Sequence, residues 1–174
     1  MTFTASTARP NAPIGIFDSG VGGLSVLRHI RAQLPQEDLM YFADSAYAPY
    51  GDKTEQQVVD RSLAITAFLL QQGAKALVVA CNTATIAAIK ALRARYPDLP
   101  IVGVEPGLKP AASISRNGKI AVLATERALR GDKLLALREQ VSAATGATFI
   151  LQPCIGLADR IEQCELGNDP LDAT

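Results

Sequence analysis

The sequence predicts an α/β fold built on mainly parallel sheet, with helices on both faces. Two observations predict it. Six short aliphatic runs of strand length recur along the chain, and longer segments with helical spacing separate them. Gly73, Gly118 and Gly146 also fall between a helical segment and the next strand, where helix ends favour glycine.

The elements follow in order. Residues 1–13 are rich in Thr, Ala, Ser and Pro and lack periodicity, so they read as a flexible leader. Strands are expected at Ile14–Phe17, Leu39–Ala43, Ala76–Ala80, Ile101–Val104, Ile120–Leu123 and Thr148–Leu151. The first helix carries Leu24, Leu27, Ile30 and Leu34 at helical spacing. The second opens at Thr54, a residue type that caps helices, and continues through Val58, Ile65 and Leu69. Helices over Thr83–Arg95, Leu108–Arg116 and Glu126–Ala144 complete the alternation. The stretch Pro97–Pro106 marks the expected boundary between two α/β units, 14–100 and 101–174. Crossovers between parallel strands are expected to be right-handed.

Composition narrows the function. The 174 residues carry 17 Lys+Arg and 17 Asp+Glu, so the net charge is zero. That balance argues against a nucleic-acid binder, which shows a basic excess. No run approaches the ~18 apolar residues of a membrane span. The N-terminus lacks the basic and apolar regions of a secretory signal. Three cysteines in no paired pattern do not read as a disulfide scaffold, which together points to the cytoplasm. A zinc site would have to gather Cys81, Cys154, Cys164 and His29 from distant segments, so no metal is expected.

In open α/β sheets ligands bind beyond the carboxyl ends of the strands. The residues there include Asp18-Ser19-Gly20, Asp44 to Gly51, Cys81-Asn82-Thr83 and Thr125. Cys81 follows a strand and precedes a helix, where the helix dipole and unpaired N–H groups favour a thiolate. A buried packing cysteine is the alternative; Asn82 and Thr83 at the same turn favour the reactive reading. His29 lies among apolar helix positions and reads as an ordinary surface residue. With no other histidine, and with Ala87 and Ala84 where a phosphatase arginine and a redox cysteine would stand, a thiolate assisted by carboxylates is left. The loop Asp18-Ser-Gly-Val-Gly-Gly23 is a weak match to a dinucleotide loop, because Ser25 holds the last glycine position and Asp18 would repel a pyrophosphate.

Gly15-Ile-Phe-Asp-Ser-Gly-Val-Gly-Gly-Leu-Ser-Val-Leu27, Tyr41-Phe-Ala-Asp-Ser-Ala-Tyr-Ala-Pro-Tyr-Gly-Asp-Lys53 and Val79-Ala-Cys-Asn-Thr-Ala-Thr85 resemble the glutamate racemases. So do Val104-Glu-Pro-Gly107, Ile120-Ala-Val-Leu-Ala-Thr125 and Pro153-Cys-Ile-Gly-Leu-Ala158, so the likeness runs from Ile14 to Glu162. The resemblance implies two similar aspartate/glutamate racemase-like units and a cofactor-independent, two-base interconversion of L- and D-glutamate. D-glutamate made this way would supply peptidoglycan. By position, Cys81 would be the first base, assisted by Asp18; Ser19, Tyr50, Gly51, Asn82 and Thr83 would hold the substrate. Thr125 would line the pocket, and Glu162 would assist the second cysteine. That second cysteine lies in a Gly-Cys-Thr-His-Tyr-Pro segment absent from these 174 residues. The resemblance therefore implies an incomplete second unit and return segment, and a chain inactive by itself. Cys154 and Cys164 do not match the missing motif and read as packing residues. A related aspartate racemase and a non-catalytic binding remnant are the alternative readings. The implied partner is glutamate; family members often form dimers, with which a homodimer is compatible.

Overall fold

The computed structural model describes residues 12–162. Most of the expected leader, and Cys164, lie outside the described residues. The chain divides into two compact units between Val104 and Glu105. This division lies within the stretch Pro97–Pro106 expected to hold the boundary, a few residues after the 100/101 bound given to the units.

The first unit holds β1 (Ile14–Asp18), α1 (Leu24–Gln33), β2 (Leu39–Ala43), α2 (Glu55–Gln71), β3 (Ala76–Val79), α3 (Asn82–Arg95) and β4 (Ile101–Gly103). Its four strands are all parallel, in the order β2-β1-β3-β4. β4 pairs with β3 through Leu77–Ile101 and Val79–Gly103, which is why the unit runs on to Val104. The chain steps from β1 outward to β2, then returns past β1 to β3. With right-handed crossovers this reversal puts α1 on one face and α2 and α3 on the other.

The core lies on the α2/α3 face. Phe17, Leu77 and Val79 from the sheet pack there with Val58, Ile65 and Leu69 of α2 and Ala84, Ala88 and Leu92 of α3. These helices present apolar residues at helical spacing, so one stripe of each is buried. α1 buries no residue, and Val102 on the opposite side of β4 is 60% exposed.

α2 starts as expected. Thr54 accepts from the Gln57 N–H, and the Gln57 side chain accepts from the Thr54 N–H, a reciprocal cap. Thr54→Ala is expected to lower the stability of the first unit by about 1 kcal/mol in urea titration, since the Gln57 N–H loses its acceptor.

The second unit holds α4 (Leu108–Ile114), β5 (Lys119–Ala124), α5 (Glu126–Arg130), α6 (Asp132–Thr145), β6 (Thr148–Pro153) and α7 (Leu157–Glu162). β5 and β6 form a parallel two-stranded sheet. One face packs Ile120, Val122 and Phe149 against Leu108, Leu137 and Val141. On the other, Leu123 and Ile150 are 63% and 58% exposed. The single helix expected over 126–144 is two. Gly131 is extended (φ −70°, ψ 130°), ending α5 and opening α6. Glycine is a poor helix interior residue, and Asp132 behind it suits a new helix N-terminus. Gly73, Gly118 and Gly146 all have positive φ (92°, 67°, 73°), the conformation for which glycine was expected at these helix-to-strand junctions.

Candidate active site

The reversal of strand order leaves a crevice between the carboxyl ends of β1 and β3, the place where this fold class binds ligands. Asp18 ends β1, and Cys81 follows β3 as the N-cap of α3. The structure brings them together through Ser19. The Cys81 thiol donates to Ser19 Oγ at 3.6 Å, and Ser19 Oγ–H donates to Asp18 Oδ1 at 3.5 Å. Both contacts are long, but together they order the three side chains as thiol, hydroxyl and carboxylate. Cys81 Sγ also accepts from the Ala84 N–H at 3.4 Å. This is an orphan donor of the first helical turn, of the kind a capping group satisfies.

The electrostatics correct one expectation. The Ala84 N–H and Ser19 do favour a thiolate, as the helix-end position suggested. Burial outweighs them and, with the nearby negative charge of Asp18, pushes the Cys81 thiol above its ordinary range. Cys81 is 6% exposed and Asp18 likewise 6%. Burial and the Asp18 charge both favour the protonated thiol over the thiolate.

The glycine-rich turn is held by its own hydrogen bonds. The Gly23 N–H donates to Asp18 Oδ2 at 2.8 Å, and the Leu24 and Ser25 N–H groups donate to Val21 and Gly22 carbonyls. The Gly23 amide is taken by the chain's own carboxylate, and the Leu24 and Ser25 amides close the turn on itself. The turn therefore orients Asp18 and gives no support to a phosphate cradle. Tyr41 fastens the same turn from β2, donating to the Gly20 carbonyl at 2.8 Å.

Tyr50 and Gly51 sit in a 3₁₀ turn, Tyr50–Asp52, that packs against α3. Tyr50 is 2% exposed and lies in the same buried cluster as Cys81 and Ala84. Its hydroxyl donates to Asp44 Oδ2 at 2.7 Å. The Tyr50 hydroxyl proton is thus held by Asp44. Burial and that carboxylate raise the Tyr50 pKa far above the phenolic range, so Tyr50 stays neutral. Asn82 is exposed at the first position of α3, and Thr83 beside it is buried. His29 is an exposed residue whose Nδ1 lies 2.7 Å from the Ser25 carbonyl.

The remaining candidates belong to the second unit. Thr125 caps α5, accepting from the Ala128 N–H at 3.3 Å. Glu162 is the last residue of α7, and its side chain lies outside what the structure describes. Cys154 is half-buried, with its thiol directed at the Gln152 carbonyl at 3.7 Å.

Sequence reasoning missed Arg61. It donates to both oxygens of Asp44, from Nε to Oδ2 at 2.7 Å and from Nη2 to Oδ1. Asp44 is 2% exposed and Arg61 34%. The position of Asp44 at the end of β2 was a signal. Arg61, 17 residues on and in mid-helix, carried none.

A parallel α/β unit with a buried thiol and a buried carboxylate, bridged by a half-buried hydroxyl at its strand-reversal point, is a frame for proton transfer at carbon. The comparisons with known proteins narrow that class: the family profile for Asp/Glu/Hydantoin racemase matches residues 14–139. The chain belongs to that family. It is 52% identical over 159 residues to a glutamate racemase of Pseudomonas paraeruginosa, covering 91% of this chain and 59% of that one. It is 56% identical over 151 residues to that of Ectopseudomonas mendocina, covering 87% and 57%. Among solved structures, Escherichia coli glutamate racemase in complex with L-glutamate and the activator UDP-MurNAc-ala aligns with a TM-score of 0.84 at 35% identity, covering 94% and 61%. The Aquifex pyrophilus glutamate racemase aligns at 0.73 and 34%, covering 92% and 62%. The chain thus spans somewhat under two thirds of the length of these relatives.

Proposed function

We propose that this chain carries the Cys81 half of a cofactor-independent glutamate racemase, with Cys81 as the base that moves the Cα proton. The family membership and the glutamate racemase relatives support the reading. The single observation that carries it is the Cys81–Ser19–Asp18 arrangement at the β1/β3 crevice.

In the proposed step, the Cys81 thiolate takes the proton from Cα. The C–H electron pair moves into the adjoining carboxylate, and an S–H bond forms. Return of a proton to the same face restores the starting enantiomer; delivery to the opposite face inverts it. A thiol held above its ordinary pKa yields few thiolates but each is a stronger base, which suits a weakly acidic C–H. A substrate α-ammonium beside Asp18 would offset the like charge that raises Cys81, and so ionise the thiol on binding. Asn82, Thr83 and the Gly51 backbone would hold the carboxylates. Ser19 would turn its hydroxyl to the thiolate. Tyr50 would act by position rather than by donating its proton. Thr125 and Glu162 would serve the second face, where the family's other cysteine acts. D-glutamate for peptidoglycan, a cytoplasmic site of action and a homodimer are parts of the same proposal.

The 174 residues alone would exchange the Cα proton without inverting it. The test is incubation of the chain with D-glutamate in deuterium oxide, followed by mass and chiral analysis. Deuterium at Cα with retained configuration is expected, reduced about 10²–10⁴-fold by Cys81→Ser. Exchange unaffected by Cys81→Ser would remove Cys81 as the base. Accumulation of L-glutamate, abolished in Cys81→Ser, would show that the chain needs no further segment. Aspartate run in parallel tests the substrate assignment.

A further inference from the structure

We propose that Arg61 is a positioning residue for the Cys81 site: its two-pronged grip on buried Asp44 fixes Tyr50, and Tyr50 in turn forms part of the wall that buries the thiol. The inference deepens the function proposed above and rests on Cys81 being its working thiol. It is carried by four linked observations. Asp44 accepts from Arg61 on both oxygens and from Tyr50 on one, which commits the carboxylate to these partners. Tyr50 is fully buried in the cluster that contains Cys81, and its turn packs on α3, the helix that Cys81 caps. The Arg61 guanidinium is itself steadied over the Tyr47 ring, 5.3 Å from its centroid, and the Tyr47 and Tyr50 rings meet edge-on at 6.5 Å. Arg61 comes from α2, whereas every other member of the network comes from the segment that follows β2.

The physical consequence is a segment tied at both ends of its polar network. A planar guanidinium can satisfy both oxygens of Asp44 at once; an ammonium cannot. Without Arg61 the Asp44 charge is left buried and unmatched, a state the chain relieves by moving the 44–52 segment toward water. Moving that segment withdraws Tyr50 from beside the thiol. The charged and titratable groups around Cys81 are then Asp18 from β1, Tyr50 from the turn, and behind it Asp44 and Arg61.

The experiment reads access to the thiol directly. The 174-residue chain is alkylated with iodoacetamide at one fixed pH, and peptide mass analysis separates Cys81 from Cys154 and Cys164. Arg61→Met is expected to raise the Cys81 rate about tenfold, a factor equivalent to about 1.4 kcal/mol of lost cover. Arg61→Lys should fall between the two. The added reactivity should be insensitive to low urea, the mark of a local opening rather than global unfolding. Leu92→Ala, a core truncation farther along α3, supplies the contrast: any added reactivity there should climb with urea. An Arg61→Met rate equal to the parent's, or one that climbs with urea as in Leu92→Ala, overturns the proposal. If Arg61→Met does not fold, Arg61→Lys and Tyr50→Phe decide by the same two readouts, since Tyr50→Phe cuts the bond to Asp44 while keeping the ring. Protection of Cys81 by glutamate in the parent chain tests the racemase reading separately. Its absence would leave the role of Arg61 standing, and an inert Arg61→Met would leave the racemase reading standing.

Discussion

Gly23→Ala is expected to destabilise the first unit by about 3 kcal/mol, seen as a lower urea midpoint at unchanged slope. A Cβ at Gly23 would lie 2.8 Å from Asp18 Cβ, 2.8 Å from the Tyr41 hydroxyl and 2.9 Å from Ala80 Cβ. Those atoms belong to β1, β2 and the end of β3, so no single flexible side chain can yield. The backbone of Gly23 is helical (φ −66°, ψ −10°), so the cost is close approach and not conformation. Relief would also stretch the Gly23 N–H bond to Asp18. Gly22→Ala provides the contrast within one motif: its nearest neighbour would be Asp18 Oδ2 at 3.5 Å, an ordinary contact. It is expected to cost under about 1 kcal/mol. Equal losses at both positions would show that the crowding at Gly23 does not set the tolerance of this turn.

Asp18→Asn and Ser19→Ala are expected to move the titration of Cys81 in opposite directions. Asp18 raises the thiol by like charge, so removing that charge lowers the thiol pKa and increases the thiolate fraction at any pH below the midpoint. Alkylation of Cys81 should then become faster and its pH midpoint fall. Asparagine keeps an oxygen that can accept from Gly23, so the turn should survive. Ser19 supports the thiolate by hydrogen bonding, and its removal should raise the midpoint further and slow alkylation below it. The pH profile of Cys81 alkylation, followed by peptide mass analysis, measures both. Burial, the largest cause, is common to both variants, so neither should bring the thiol to the behaviour of a free cysteine. Shifts of the same sign in the two variants would mean that a change in cover dominates, and the charge argument would fail.

Much of the frame was legible in the chain. Ile14–Phe17, Leu39–Ala43 and Ala76–Ala80 read as strands because their aliphatic content and length suit sheet interiors, and β1, β2 and β3 match them to within one residue at each end. Thr54 read as a cap because its partners lie within one turn. Cys81 read as a helix-start thiol for the same reason: strand, cysteine and helix are consecutive. Where sequence reading fell short, a single backbone conformation or hydrogen bond that residue spacing does not announce decided the outcome. Gly131 broke a helix whose apolar spacing continued across it. The glycine turn was a weak match to a dinucleotide loop from its residues alone, but only the structure showed that Asp18 takes the Gly23 N–H.

By itself, the sequence determined the order of strands and helices and the placement of Asp18, Ser19 and Cys81 at strand ends. These are local properties, set by residue type and spacing within a turn or a strand. Only the tertiary structure decided that β1 and β3 lie side by side, so that residues 62 positions apart share hydrogen bonds. It alone decided that the thiol is held up by burial rather than down by the helix end, that Gly23 is crowded and Gly22 is not, and that Arg61 grips Asp44 beside Tyr50. Burial, close approach and paired charge depend on distances between segments, and those distances are fixed only when the sheet and its helices have closed on one another.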